Sequence, residues 1–265
     1  MKVKITALKY GESVFEEMHI FKGGSPNVLL PISFVFYLIE TGHKKILIDV
    51  GCDDGAGFEM SIFQKPVCVL ENYGLAATDI TDVVITHAHH DHIAAIQPYC
   101  NATIHIQEAE YQYGKDYIPA TSNVHRFEDE FLLTSNIIIK KIGGHTDGSS
   151  IVLCHTKDRD YVLCGDECYI KACLDKQIPT GSSWHPDISE NFIKKYSETN
   201  YVPLLFHDPG ILKGKIGYEI ILHSAFNLSN SILLHWNTTV LVVTELYDNI
   251  FFRNINKNTI KSTCC

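Results

Sequence analysis

Four histidines and an aspartate fall within six residues in the run Thr86-His87-Ala88-His89-His90-Asp91-His92. Neutral imidazole and carboxylate are the ligands that zinc takes in hydrolytic sites. Packing is a poor explanation for such a cluster, because a buried imidazole is costly unless its nitrogens find partners. The run follows Val83-Val84-Ile85, which reads as a buried strand, and precedes Ile93 to Tyr99, which reads as a helix. On an extended turn His87 and His89 point to one side, and Asp91 and His92 can reach a second position beside it. Taken alone, a cluster of this kind is also compatible with a structural role.

Three later residues change the balance. His145 lies in Ile142-Gly143-Gly144-His145-Thr146-Asp147-Gly148, Asp166 in Leu163-Cys164-Gly165-Asp166-Glu167, and His207 in Leu204-Leu205-Phe206-His207-Asp208-Pro209. Each stands where an apolar run stops, and α/β sheets place their sites beyond strand ends. Singly each reads as a turn or capping residue. With the first cluster they complete two coordination shells.

The elements that must position these residues are short and mostly continuously apolar. The predicted strands are Ser33–Glu40, Lys45–Val50, Asp82–Thr86, Ala102–Ile106, Asn136–Lys141, Ser150–His155, Tyr161–Cys164 and Tyr201–Phe206, as expected for strands buried on both faces. Lys157 to Asp160 reads as a hairpin turn between two of them. Pro66 can open a helix that Gly74 closes, and Ile188, Phe192, Ile193 and Tyr196 form one helical stripe after Pro186. Strands mixed with helices indicate an α/β fold, a sheet core covered by helices.

The 265 residues suit one α/β domain or two fused halves. The net charge of −9 argues against nucleic acid and anionic membranes as partners. No apolar run approaches the roughly 18 residues of a spanning helix; the nearest, Ile232 to Val243, is broken by His235, Trp236 and Asn237. Nine irregularly spaced cysteines read as reduced thiols, so a cytoplasmic protein is expected. Cys164 and Cys168, though they flank Asp166, read as packing residues.

The whole set resembles the metallo-β-lactamase superfamily. His87, His89, Asp91 and His92 match its H-x-H-x-D-H motif, His145, Asp166 and His207 match its later His, Asp and His in order, and Asp49 matches an early strand-end aspartate that supports the site loop. The resemblance implies an αββα four-layer sandwich. It also implies two zinc ions (with iron, manganese or cobalt as possible substitutes), one on His87, His89 and His145, the other on Asp91, His92 and His207, with Asp166 bridging. The finer resemblance is to the N-acyl homoserine lactonases, on Tyr169, Gly165-Asp166-Glu167-Cys168, Ile178-Pro179-Thr180-Gly181 and Asp49-Val50-Gly51-Cys52. It implies a lactone or other small ester as substrate and a hydroxide shared by two metals about 3.5 Å apart. Asp91 or Asp166 is then the proton shuttle, and Tyr169 either an oxyanion donor or a wall residue. His90 stands where several lactonases carry an aromatic lining residue, which implies a different acyl pocket.

Other readings stay open: a thioesterase or phosphodiesterase of the same fold, a diiron oxidoreductase, against which His89 speaks, or a non-catalytic member, against which the full ligand set speaks. Residues 1–222 are expected to form the hydrolase domain, as a monomer or homodimer, and residues 223–265 a segment of uncertain organisation.

Overall fold

A computed structural model describes residues 2–55 and 59–223. The apolar run Ile232 to Val243 and all of the C-terminal segment except His223 lie outside the described residues. In chain order the strands are β1 (Val3–Glu16), β2 (Leu29–Thr41), β3 (Lys44–Ile48), β4 (Ile62–Phe63), β5 (Asp82–Ile85), β6 (Thr103–Gln107), β7 (Asn123–Phe127), β8 (Glu130–Thr134), β9 (Ile137–Lys141), β10 (Ser150–His155), β11 (Asp160–Leu163), β12 (Tyr201–Leu204) and β13 (Gly217–His223).

They form two sheets. One runs β13-β1-β2-β3-β5-β6-β7 with β4 on β1, and the other runs β12-β11-β10-β9-β8. Strands β3, β5, β6 and β7 are mutually parallel, as are β11 and β12. The turn after His155 joins β10 to β11 as an antiparallel hairpin.

The sequence of β2 shows why the sheets stack. Val35, Tyr37 and Ile39 join Ile46, Ile48 and Val84 in an apolar cluster with Ile139, Val152, Cys154 and Leu163 of the second sheet. The alternate residues Phe34, Phe36 and Leu38 join the cluster that takes in the helices, including Val69 and Leu70 of helix Pro66–Tyr73 and Ile193 and Tyr196 of helix Pro186–Tyr196. A strand buried on both faces loses the alternation of a half-exposed one. The fold is the four-layer αββα sandwich.

Two local expectations need correction. Ile93 to Tyr99 is not an α-helix: His90–Ile93 is one α turn, and Ala94–Tyr99 tightens to a 3₁₀ helix with a break at Ala95 and Pro98 inside it, where the ring can donate no backbone hydrogen bond. Ile188 is 41% exposed. Its neighbour Ser189 takes the buried position, where its hydroxyl donates to Glu167 Oε2 (3.3 Å) and lies 3.0 Å from Ser183 Oγ.

Among the described residues, five strands escaped prediction: β1, β4, β7, β8 and β13. In β1 the apolar signal is broken by Lys9, Gly11 and Glu12. Lys9 is nonetheless fully buried, with its ammonium on Glu12 and donating to the carbonyls of Ile211 (2.9 Å) and Leu212 (3.0 Å).

Asp82 fixes the start of β5, the strand that delivers the histidine run. Its carboxylate accepts from Lys44 Nζ (2.7 and 2.8 Å), Thr81 Oγ1 (2.7 Å) and His105 Nε2 (3.0 Å). Burial opposes ionisation there, but His105, Lys44 and Thr81 outweigh it and hold the carboxyl well below the usual carboxylate range. A depressed folded value means the stabilisation is present above the unfolded value of about 3.9 and is lost as pH falls through the folded one. Asp82→Asn is therefore expected to destabilise the fold by about 1–3 kcal/mol at pH 7. In urea unfolding curves the gap from wild type should narrow progressively below about pH 4.

Candidate metal centre

The histidine run leaves the buried end of β5 and turns within four residues into the helix that starts at His90. Asp49, just past β3, determines the shape of that turn. Its Oδ1 accepts from Thr86 N (2.7 Å), and its Oδ2 accepts from Thr86 Oγ1 (2.8 Å) and faces His92 Nδ1 at 2.7 Å. Asp49 itself has φ of 60°, a region that non-glycine residues seldom enter and that is retained when surrounding contacts enforce it.

From the second sheet, the glycine-bounded turn after β9 brings His145, the end of β11 brings Asp166, and the end of β12 brings His207. The donor atoms sort into two groups. His87, His89, His145 and Asp166 converge in one and Asp91, His92 and His207 in the other, with the donor atoms of each group within 4.8 Å of one another. His89 Nδ1 lies 3.0 Å from both His87 Nε2 and His145 Nε2. Asp91 Oδ2 lies 3.7 Å from His92 Nε2 and 3.6 Å from His207 Nε2.

Asp166 sits between the groups. Its Oδ2 is 3.6 Å from His87 Nε2 and 3.5 Å from His145 Nε2. Its Oδ1 is 3.1 Å from both His92 Nε2 and His207 Nε2. All seven residues singled out from the sequence as ligands thus meet at one place. Tyr169 joins them, with its ring 5.0 Å from that of His207 and 5.8 Å from that of His145. His90 does not: its Nε2 faces Asp54 Oδ1 at 2.8 Å and its Nδ1 faces Tyr117 Oη at 3.2 Å. His105, His155 and His185 pair with Asp82, Asp160 and Asp147 away from the centre.

The donor set fits cations. His92 Nε2 and Asp166 Oδ1 are buried without a hydrogen-bond partner, an arrangement that leaves lone pairs facing one another unless a cation or shared protons lie between them. His92 Nδ1 faces the Asp49 carboxylate, and His207 Nδ1 donates to the Ser33 carbonyl at 2.9 Å. Such bonds fix the tautomer and present Nε2 as a ligand. Burial pushes His87 well below its usual value and His145 down to about 3, so both rings are neutral. Burial also disfavours the ionised form of Asp166, but His92 and His207 outweigh it and hold the carboxyl well below its usual range.

Among the described residues, two buried glutamates were missed. Glu167 accepts from Gly144 N (3.0 Å), His145 N (3.2 Å), Ser149 Oγ (2.5 Å) and Ser189 Oγ (3.3 Å), while burial pushes its carboxyl up to about 7. A Cβ on Gly144 would lie 2.3 Å from the Glu167 carboxylate, so only glycine fits this approach. Glu110 accepts from Ala88 N (2.8 Å), Thr146 Oγ1 (2.6 Å) and Gly148 N (2.9 Å). Glu167 stands beside Asp166 and could have been suspected; Glu110, in Glu108-Ala109-Glu110-Tyr111, reads as a solvated first turn.

Residues 35–187 match the family model of the metallo-beta-lactamase superfamily. The N-acyl homoserine lactonase AiiA of Bacillus thuringiensis subsp. kurstaki is 22% identical over 233 residues, covering 77% of this chain and 93% of the relative. The fold superposes on a quorum-quenching N-acyl homoserine lactone lactonase with a TM-score of 0.70 at 21% identity, covering 78% and 93% of the two chains. It superposes on AidC, described as a dizinc quorum-quenching lactonase in complex with a product, with a TM-score of 0.64 at 20% identity, covering 85% and 96%. The chain belongs to the metallo-beta-lactamase superfamily, and it is a metal-dependent hydrolase.

Asp49→Asn replaces one of two accepting oxygens with a donor facing donors. It is expected to destabilise the chelated protein by about 1–3 kcal/mol, read as a lowered urea midpoint. An unchanged midpoint would show that Asp49 does not hold the turn.

Proposed function

We propose that the protein is a lactonase that opens the ring of N-acyl homoserine lactones, with two zinc ions as cofactors. In this reading His87, His89 and His145 hold one ion, Asp91, His92 and His207 the other, and Asp166 serves both. The observation that carries it is the division of Asp166, one oxygen toward each group of imidazoles, with the ring of Tyr169 against those of His145 and His207. Kinship with the N-acyl homoserine lactonases supports a lactone as the ester, and the dizinc relative supports zinc.

Two divalent ions held here would polarise the ester carbonyl and make a water acidic enough to attack near neutral pH. The remaining work falls to the chain. Burial and the carboxylates of Asp166 and Asp91 raise the Tyr169 phenol well above its usual value, so it stays protonated and can donate to the carbonyl oxygen as charge develops there. As the water oxygen bonds to the carbonyl carbon and the ring C–O bond breaks, Asp91 or Asp166 accepts the water's proton and passes it to the departing alkoxide. Asp91 is the more accessible of the two, with its side chain 15% exposed against 3% for Asp166. The proposed partner is thus a small ester. Among the described residues no helix is long and apolar enough to cross a membrane, and the buried free thiols of Cys52, Cys154, Cys164 and Cys168 support a reducing, cytoplasmic setting.

Asp166→Asn is expected to abolish ring opening and to leave fewer than two zinc ions per chain by elemental analysis. Tyr169→Phe should lower kcat by about ten- to a hundredfold with little change in KM; unchanged kinetics would reduce it to a wall. The reading as a whole is tested by acid release from N-acyl homoserine lactones of several chain lengths, comparing zinc-loaded with chelated protein. Rapid metal-dependent opening is expected. Failure with zinc demonstrably bound would overturn the substrate class while leaving a metal-dependent hydrolase.

A further inference from the structure

The two groups of donors are held in different ways. In the group around His207 the rings themselves are anchored, His92 by Asp49 and His207 by the Ser33 carbonyl. In the group around His89 the anchoring is uneven: His87 Nδ1 lies 3.1 Å from Thr86 Oγ1, while His145 Nδ1 is buried without a hydrogen-bond partner. The position of that ring must be inherited from the backbone of its turn.

That backbone is tied to the histidine run through one side chain. Glu110 is 1% exposed on helix Glu108–Gly114. Its Oε2 accepts from the N–H of Ala88, the residue between His87 and His89, and its Oε1 accepts from Thr146 Oγ1 and Gly148 N, just beyond His145. The helix is pressed onto both loops. A Cβ on Gly148 would lie 2.9 Å from Glu110 Cγ, and one on Gly114 would lie 3.1 Å from Ala88 Cβ. Gln107 caps the helix by accepting from Ala109 N at 2.6 Å.

We infer that Glu110 is a positioning residue for one of the two metals: it clasps the His87–His89 turn to the His145 turn and so sets affinity at that position selectively. This rests on the two-metal reading above. The carboxylate suits the task because all three groups facing it are donors. An amide cannot replace it, since whichever way it turns its NH₂ meets the N–H of Ala88 or the donors of Thr146 and Gly148. Partners of this kind outside the ligand set typically contribute ten- to a hundredfold to metal affinity.

The test is a competitive zinc titration of wild type, Glu110→Gln and Thr146→Val against a chromophoric chelator, with zinc-edge anomalous diffraction to locate the ions. Thr146→Val removes one bond to the same carboxylate and guards against a Glu110→Gln chain that fails to fold. The expected result is two zinc ions in wild type, and in Glu110→Gln one affinity weakened about ten- to a hundredfold. Anomalous density should fall beside His89 and persist beside His207, with a smaller shift of the same sign in Thr146→Val. Two unchanged affinities in both variants, or equal weakening of both ions, would overturn the inference. Fewer than two ions in wild type would instead overturn the two-metal reading on which it rests.

Discussion

A carboxylate buried among imidazoles is expensive in a protein interior, and Asp166 lies within 3.6 Å of four ring nitrogens with its side chain only 3% exposed. Bulk solvent reaches little of this carboxylate, so charge or lone pairs must be compensated by what the fold places there. The arrangement survives because its members arrive on rigid supports. Asp49 follows β3, the histidine run follows β5, His145 follows β9, Asp166 follows β11 and His207 follows β12. Each of these strands is buried on one or both faces, so the ends cannot drift without disturbing the core between the sheets. The site is the place where the two sheets of the sandwich must agree.

That agreement is enforced by a ring of buried acceptors around the donors. Asp49, Glu110 and Glu167 each accept from backbone N–H groups beside a histidine. Three further carboxylates close to Asp166 and Asp91 would repel one another in a dry interior. Their hydrogen bonds are charge-assisted, which offsets part of the desolvation, and cations at the centre would offset more. The same logic explains glycine at 144, where a Cβ would occupy the approach of the Glu167 carboxylate.

Much of this was legible in the sequence. Hydrolytic ligand types at H-x-H-x-D-H spacing are hard to mistake, and His145, Asp166 and His207 stood out because each ended an apolar run. The strands that carry them were legible for the same reason: burial on both faces makes the run continuously apolar. What could not be read was whatever depends on tertiary context. Glu110 looks like any acid in the first turn of a helix, yet it is buried because Ala88, Thr146 and Gly148 converge on it from distant positions. Lys9 interrupts β1 in the sequence but not in the fold, since Glu12 and the carbonyls of Ile211 and Leu212 supply its partners. A break at Ala95 interrupts a helix that hydropathy alone would continue, and Pro98 lies within the 3₁₀ turn that follows.

The central claim is that the two groups around Asp166 form one dinuclear centre. The most direct measurement is zinc X-ray absorption on the fully loaded protein in solution, with stoichiometry from the same sample. The account predicts two zinc ions per chain, a shell of nitrogen and oxygen ligands with strong imidazole scattering and no sulfur, and a metal–metal vector of about 3.5–4 Å. A single zinc per chain, or two zinc ions with no metal–metal vector, would contradict it.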